Sequence, residues 1–157
     1  MAEQISSFFT IDMIYLWLNV GIIPFWFVLI FFPNSKICSF FVSSIFPIFI
    51  LSLIYLYLVY FFYVSGYDFG QNFSLYLSLD SLNQLFNEKA FLIIFWTHFI
   101  AINLFCGSWV VSDSKKFSMS KILVFFPLVI SYFIGPLGVF IYWLIRIFFA
   151  KKISLYD

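Results

Sequence analysis

Four long runs of uncharged, mostly apolar residues dominate the chain, and charged residues mark the ends of each run. The runs cover residues 13–35, 37–67, 90–112 and 122–145. Each is long enough to cross a membrane, since about 20 apolar residues in a helix cross a hydrocarbon core of roughly 30 Å. The apolar residues are continuous rather than alternating, which excludes a membrane β-barrel. The pattern predicts an all-α integral membrane bundle, one domain over residues 1–157, with four transmembrane helices at about 12–33, 38–64, 90–111 and 121–149.

Two of the prolines in the runs, Pro47 and Pro136, predict bent helices. Pro47 lies in the second run and Pro136 in the fourth. A proline inside a helix removes one backbone hydrogen bond and bends the helix there. We therefore expect a kinked or tilted second helix and a kink near the middle of the fourth.

The segment between the second and third runs is the longest polar stretch of the chain. Leu75, Leu79, Leu82 and Phe86 recur in it at helical spacing, with polar residues between them. This spacing is typical of a short amphipathic helix in the membrane interface. An ordinary loop whose leucines pack onto the ends of the bundle would give the same spacing, and both interpretations stay open.

The composition agrees with a membrane protein and excludes other classes. Apolar residues make up 64% of the chain and charged residues 10%, whereas soluble domains carry about 25% charged residues. This balance excludes a soluble enzyme and a disordered chain, and a net charge of +1 gives no basic surface for nucleic acid. Cys38 and Cys106 lie in apolar runs, so we expect no disulfide framework, no metal site and no cofactor.

Four crossings put both termini on the same side of a cell or inner membrane, but the charges leave the side open. In membrane proteins Lys and Arg concentrate in the cytoplasmic loops, but in this chain they divide equally between the two sides of the membrane. Residues 1–10 hold no Lys or Arg and precede no small-residue cleavage site, so we expect the first helix to be retained. One side would carry Lys36, Lys115, Lys116 and Lys121, and the other Lys89, Arg146, Lys151 and Lys152.

Helical phase places the scarce polar and small residues of the runs on defined faces. Polar residues in a membrane span usually face protein or water, because burial in lipid is costly. Glycines let a neighbouring backbone or a flat ligand come close. One face of the first helix carries Asp12, Tyr15, Asn19 and Trp26, and one face of the last carries Ser131, Gly135, Gly138, Tyr142 and Arg146.

The third run holds the only histidine, His98, and Asn103 near its centre. It is polar or small on several sides, so we expect it to be enclosed. For His98, a structural hydrogen bond and acid–base chemistry stay open as alternatives, and a lone His does not predict a metal site. For Arg146, the favoured interpretation is a side chain that reaches the headgroups beside Lys151 and Lys152.

The sequence WTHFIAINLFCGSW at residues 96–109 resembles the signature helix of the abscisic-acid-deficient-four-like membrane proteins. These are the neoxanthin-synthesis proteins of plants and their bacterial relatives. The GPLG sequence at residues 135–138, with Arg146 behind it, resembles their second signature, and Pro24, Trp26 and Pro33 also fit. The likeness covers nearly the whole chain.

The resemblance implies a role in carotenoid metabolism, where plant members are needed to convert violaxanthin into neoxanthin. That conversion is an isomerisation without redox change, and it needs an acid at the epoxide oxygen and a base at the proton that leaves. The resemblance implies catalytic roles for His98 and Arg146. It implies that Trp96, Asn103, Trp109 and Tyr142 line the site. Helical phase and the glycine-bearing kink add Asn19, Gly135, Pro136 and Gly138 to the predicted substrate-binding residues.

Two positions depart from the family pattern. The family often has an acidic residue where this chain has Asn103 and a basic one where it has Ser108. These neutral side chains keep hydrogen bonding but not proton transfer. Three hypotheses therefore stand: a carotenoid isomerase, a protein that binds a carotenoid or another isoprenoid among membrane lipid, and an assembly subunit that forms a homo-oligomer or a larger membrane complex.

Overall fold

The described part of the protein is helical, with no strand among its residues. The computed structural model describes residues 9–42 and 44–151, with the side chain of residue 41 left out. These residues include six α-helices: α1 (Ile11–Phe31), α2 (Phe46–Val64), α3 (Leu79–Asn87), α4 (Lys89–Lys116), α5 (Lys121–Phe133) and α6 (Gly135–Ala150). A π-helical turn (Cys38–Val42) precedes α2, and a 3₁₀ helix (Phe69–Tyr76) precedes α3.

Three of the described helices, α1, α2 and α4, are long and apolar enough to cross a membrane. They correspond to the first three predicted spans. The second span differs at its start, because residues 38–42 form the separate π-helical turn. Pro47 is therefore the second residue of α2 rather than an interior residue. A proline there costs no helical hydrogen bond, so the reason for a kink at Pro47 is wrong, and a tilt of this helix stays a prediction.

The predicted fourth span, 121–149, is not one helix. Its first half is α5, with 13 residues, and its second half is α6, with 16 residues. Ile134 separates them with φ −140° and ψ 85°, outside the helical region. Gly135 and Pro136 then start α6, where the missing N–H of proline is harmless. The expected kink is thus a complete break, and α6 packs against α5.

The polar segment between α2 and α4 contains a short amphipathic helix, α3, that holds Leu79, Leu82 and Phe86 of the predicted pattern, whereas Leu75 lies in the preceding 3₁₀ helix. The Ser78 hydroxyl caps α3 by accepting a hydrogen bond from the backbone N–H of Ser81 at 3.1 Å. Leu85 is the buried residue of this helix, whereas Leu79 is exposed. Before α3, the Tyr67 hydroxyl donates to Asn72 Oδ1 at 2.7 Å, and partial burial raises the pKa of this phenol.

The described residues fall into two compact units. One lies within Met1–Val20 and Ile50–Ile100, and the other within Gly21–Phe49 and Ala101–Asp157. The prediction about residues 1–10 concerns mainly residues outside the described part, and so does the prediction for Lys152. Buried aliphatic residues form each core, Leu18 and Leu58 in the first unit and Leu29, Leu104 and Leu128 in the second.

Candidate functional site

A buried ion pair in the second unit joins the ends of α4 and α6. Arg146 Nε donates to Asp113 Oδ2 at 2.6 Å, and Arg146 Nη2 lies 3.5 Å from Asp113 Oδ1. The Tyr142 hydroxyl, one turn earlier on α6, donates to the same Asp113 Oδ2 at 2.7 Å. The guanidinium carbon lies 4.9 Å from the centre of the Phe117 ring. One carboxylate thus binds two donors of α6 at once.

This cluster is closed to its surroundings. Arg146 is 1% exposed, Asp113 2% and Tyr142 0%. The favoured interpretation of Arg146 as a side chain reaching the headgroups is therefore wrong. The arginine instead has a buried carboxylate partner, which offsets much of the cost of removing its charge from water.

Sequence reasoning missed Asp113, which it used only to mark the end of the third run. A signal was present, because Asp113 is the one acidic residue between Lys89 and Asp157. Three lysines, Lys115, Lys116 and Lys121, follow it closely. With these lysines beside it, Asp113 resembled an ordinary charged residue at the end of a helix.

The predicted face of the last helix is confirmed for its glycines. Gly138 packs so closely on α5 that a Cβ there would meet Ser131 Oγ and would lie 2.6 Å from the carbonyl oxygen of Pro127. A Cβ on Gly135 would meet Asn103 Oδ1. The space beside both glycines is therefore filled by this chain's own atoms.

The other predicted residues of the second unit surround these contacts. Trp109 stands edge-on to Tyr142, with ring centroids 5.6 Å apart. Pro136 is exposed at the start of α6. Ser108, at one of the two positions that depart from the family pattern, donates to the Val42 carbonyl at 3.0 Å. Asn103 at the other is 3% exposed.

In the first unit, two predicted residues meet beside a cleft whose wall includes the charged residues Asp12 and Lys89. Trp96 Nε1 donates to Asn19 Oδ1 at 3.3 Å, and the Trp96 ring lies 6.1 Å from that of Tyr15. The cleft has a volume of about 240 Å³. It is lined by Ile11, Asp12, Tyr15, Lys89, Leu92, Ile93 and Trp96.

A larger cleft in the same unit is almost wholly apolar. Its volume is about 450 Å³, within the range of roughly 300–1,000 Å³ that ligand sites occupy. Trp17, which lies on it, is 58% exposed. The lining residues come from Phe9, which precedes α1, and from α1 and α2: Ile14, Trp17, Leu18, Leu53, Ile54 and Tyr57.

His98 lies on an exposed side of α4 rather than in an enclosed core. Its ring centroid is 6.4 Å from that of Tyr55 on α2. Phe95, Ile102 and Phe105 of α4 are exposed as well, so the helix that we expect to be enclosed is enclosed only in part.

The predicted site residues therefore form two groups. Asn19, Trp96 and His98 belong to the first unit, and the remaining predicted residues, from Asn103 to Arg146, belong to the second. A catalytic pairing of His98 with Arg146 stays a prediction.

In the described part of the chain, no three His, Cys, Asp or Glu side chains come together as a metal site would require.

Comparison with known protein families identifies the family of this chain. The family model described as ABA DEFICIENT 4-like matches residues 13–142, which is most of the chain. The match includes Asp113 and Tyr142 and ends four residues before Arg146. No curated protein and no solved structure matches the chain.

Proposed function

The chain belongs to the ABA DEFICIENT 4-like family, and we propose on that premise that it is a carotenoid-related membrane protein that binds a carotenoid or another isoprenoid. The observation that carries the proposal is the family match over residues 13–142, because this family is linked to carotenoid and neoxanthin synthesis. The ligand class then follows from the pathway, and the geometry of the first unit is consistent with it.

The apolar cleft supports this ligand class. A polyene is a long hydrocarbon with few polar atoms, and it gains most from a wall of aliphatic and aromatic side chains. Trp17 and Tyr57 supply such rings on two different helices. The smaller cleft, with Asp12 and Lys89 on its wall, offers hydrogen-bonding groups for a hydroxylated ring.

Pigment retention tests the binding proposal. The full chain is produced in bacteria that accumulate different carotenoids, purified in mild detergent, and its bound pigment is extracted and identified by chromatography. We expect a stoichiometric pigment, and Trp17→Ala should reduce retention several-fold because the ring lies on the cleft. Tyr60→Ala is the matched control, since Tyr60 is 66% exposed in the same unit but does not line the cleft. Purification without pigment from every host would contradict the proposal.

A second candidate function is isomerisation of an epoxy-xanthophyll, and the exposure of His98 favours it. Opening the epoxide needs a proton delivered to its oxygen as the C–O bond breaks, and a base must accept the proton lost from carbon. An imidazole has one nitrogen that can donate a proton and one that can accept a proton, and an exposed ring is accessible to a lipid-borne substrate. Arg146 transfers no proton in this proposal, because a guanidinium keeps its proton in proteins. It is a positioning residue, since its contact with Asp113 holds α6 in place.

Chromatography of the same extracts tests this second candidate. A host that accumulates violaxanthin should show a new isomeric pigment when it produces the chain. His98→Ala should abolish the new peak while pigment binding and protein yield stay unchanged. A His98→Ala protein that still converts the pigment would show that His98 is not the proton-transfer group.

A further inference from the structure

The contact between α5 and α6 shows that the chain reverses direction within its last apolar run. Gly138 packs against the carbonyl of Pro127, with only 2.6 Å between that oxygen and the position of a Cβ. In one straight helix, eleven residues would separate these positions by about 16 Å along the axis. Since Ile134 breaks the helix between them, α6 runs back along α5.

The buried ion pair gives the same result independently. Asp113 lies three residues before the end of α4, and α5 starts at Lys121, just beyond that end. In a continuous helix Arg146 would stand about 38 Å from Lys121, on the far side of a bilayer. Instead Arg146 Nε contacts Asp113 Oδ2 at 2.6 Å. The end of α6 has therefore returned to the end of α4.

Neither helix of this pair is long enough to cross alone. The 13 residues of α5 and the 16 residues of α6 extend about 20 and 24 Å, against roughly 30 Å of hydrocarbon. A break in a helix at membrane depth is tolerated where protein covers it. Here Gly135 and Gly138 pack against Asn103 and Ser131 on one side. Ile134 is exposed, but its backbone N–H donates to the Ile130 carbonyl and its carbonyl accepts from Gly138.

We propose that α5 and α6 form a re-entrant hairpin, so that the chain crosses the membrane three times, with its amino terminus outside and its carboxyl terminus in the cytoplasm. This replaces the expectation of four crossings with both termini on one side. The cleft lined by Asp12 and Lys89 then opens at the outer face, because both residues start their helices there.

The distribution of charge supports the proposed orientation. With four crossings the Lys and Arg residues divide four against four, and with three they divide seven against one. The Lys115 ammonium contacts Ser39 Oγ at 3.2 Å, which places the turn after α1 beside the end of α4. The cytoplasmic side would hold Lys36, Lys115, Lys116, Lys121, Arg146, Lys151 and Lys152, and the outer side Lys89. Such an excess on one side is typical of cytoplasmic loops.

Protease accessibility of two tags on the full chain tests the proposal. Both termini carry a different cleavable epitope tag, and spheroplasts are treated with protease before and after permeabilisation. We expect the amino-terminal tag to be lost from intact spheroplasts and the carboxyl-terminal tag only after permeabilisation. Equal accessibility of both tags would overturn the three crossings. The reverse pattern would leave three crossings and overturn the orientation.

Cysteine labelling locates the hairpin itself. In a background with Cys38→Ala and Cys106→Ala, single cysteines at Ser118→Cys and Lys151→Cys flank the hairpin, and Lys89→Cys marks the outer end of α4. A membrane-impermeant maleimide should label Lys89→Cys in intact spheroplasts and the other two only after permeabilisation. Labelling of the two flanking positions from opposite sides would overturn the hairpin. Both tests require no ligand, so their outcome is independent of the pigment proposal.

Discussion

The two ends of α4 show what happens to charged and polar residues in a chain this apolar. At its start, Lys89 and Trp96 line an open cleft together with Asp12 and Tyr15 of α1. At its end, Asp113 is closed off by two donors of α6. In the described part of the chain, Arg146–Asp113 is the one ion pair within 4.0 Å, so Asp12 and Lys89 face the same cleft without pairing.

This difference distinguishes polar groups that a ligand can reach from polar groups that stabilise the fold. Groups that remain accessible, such as Asp12, Lys89 and His98, are available to a ligand. Groups that are buried and paired with each other fix the position of a helix, and a guanidinium held by a carboxylate is poorly placed to change partners during a reaction. The proposed ligand chemistry therefore belongs to the first unit, whereas the buried pair of the second holds a helix in position.

Breaking the buried pair should have the largest effect on stability. Arg146→Met removes the partner of Asp113 and leaves a buried carboxylate without its main donor. We expect a loss of about 3–5 kcal/mol in the free energy of unfolding, the range for breaking a buried ion pair. Thermal and denaturant unfolding in detergent micelles measures it.

Two further variants distinguish the loss of the Arg146–Asp113 ion pair from the general effect of removing a positive charge on the free energy of unfolding. Adding Asp113→Leu to Arg146→Met should recover much of the lost stability, because no buried charge is then left without a partner. Lys115→Met is the matched control, since that lysine is only half-buried and its contact is with Ser39 Oγ. A loss for Lys115→Met as large as that for Arg146→Met would show that the buried pair is not special.

The Tyr142 hydroxyl should contribute less than the arginine but still measurably. Tyr142→Phe removes one of the two donors to Asp113 Oδ2 and leaves the ring against Trp109. We expect a loss of about 1.5–3 kcal/mol in the free energy of unfolding, as for hydrogen bonds to charged groups. Tyr132→Phe removes the same atom from a ring that packs edge-on against Trp26, and it should stay within about 0.5 kcal/mol of wild type. Equal losses in the two variants would contradict the assignment.

Much of this fold is predictable from the sequence, because in a membrane protein a long run of residues without charge is a strong signal of a transmembrane helix. The runs between charges predict α1, most of α2 and α4 to within a few residues, and the leucine spacing predicts α3. The break at Ile134 is harder to predict. An uninterrupted apolar run satisfies the length requirement equally well as one helix across the bilayer or as two short helices folded back, and Gly135-Pro136 fits either a kink or a new helix start.

The partners within the site are less predictable than the residues themselves. Helical phase correctly groups Gly135, Gly138, Tyr142 and Arg146 on one face, and it pairs Asn19 with the side of α1 that meets Trp96. It carries no information about which other helix each face contacts. Asp113 became the partner of Arg146 only because α6 turns back, and that reversal depends on packing between residues distant along the chain.

The close packing between α5 and α6 can be tested by adding a single Cβ atom at position 138. Gly138→Ala places a Cβ against Ser131 Oγ and 2.6 Å from the Pro127 carbonyl, so α5 and α6 must move apart. We expect a loss of about 1–3 kcal/mol in the free energy of unfolding, the usual cost of overpacking. Gly21→Ala is the matched control, because no atom lies within 4 Å of its added Cβ, and alanine favours a helix over glycine by about 1 kcal/mol. A Gly138→Ala protein as stable as Gly21→Ala would contradict the reversal of the chain.

The smallest effect on stability is expected at His98, and this result completes the contrast between accessible and buried polar groups. The ring is exposed on α4 and its nearest aromatic neighbour is Tyr55 at 6.4 Å. His98→Ala should therefore change the free energy of unfolding by less than about 0.5 kcal/mol. Thr97→Val is the matched control one residue away, because Thr97 is 0% exposed and its hydroxyl donates to the Ile93 carbonyl at 2.8 Å, so its replacement should cost more. A destabilisation by His98→Ala above that of Thr97→Val would show that His98 serves the fold, and its availability for proton transfer would then fail as an argument for isomerisation.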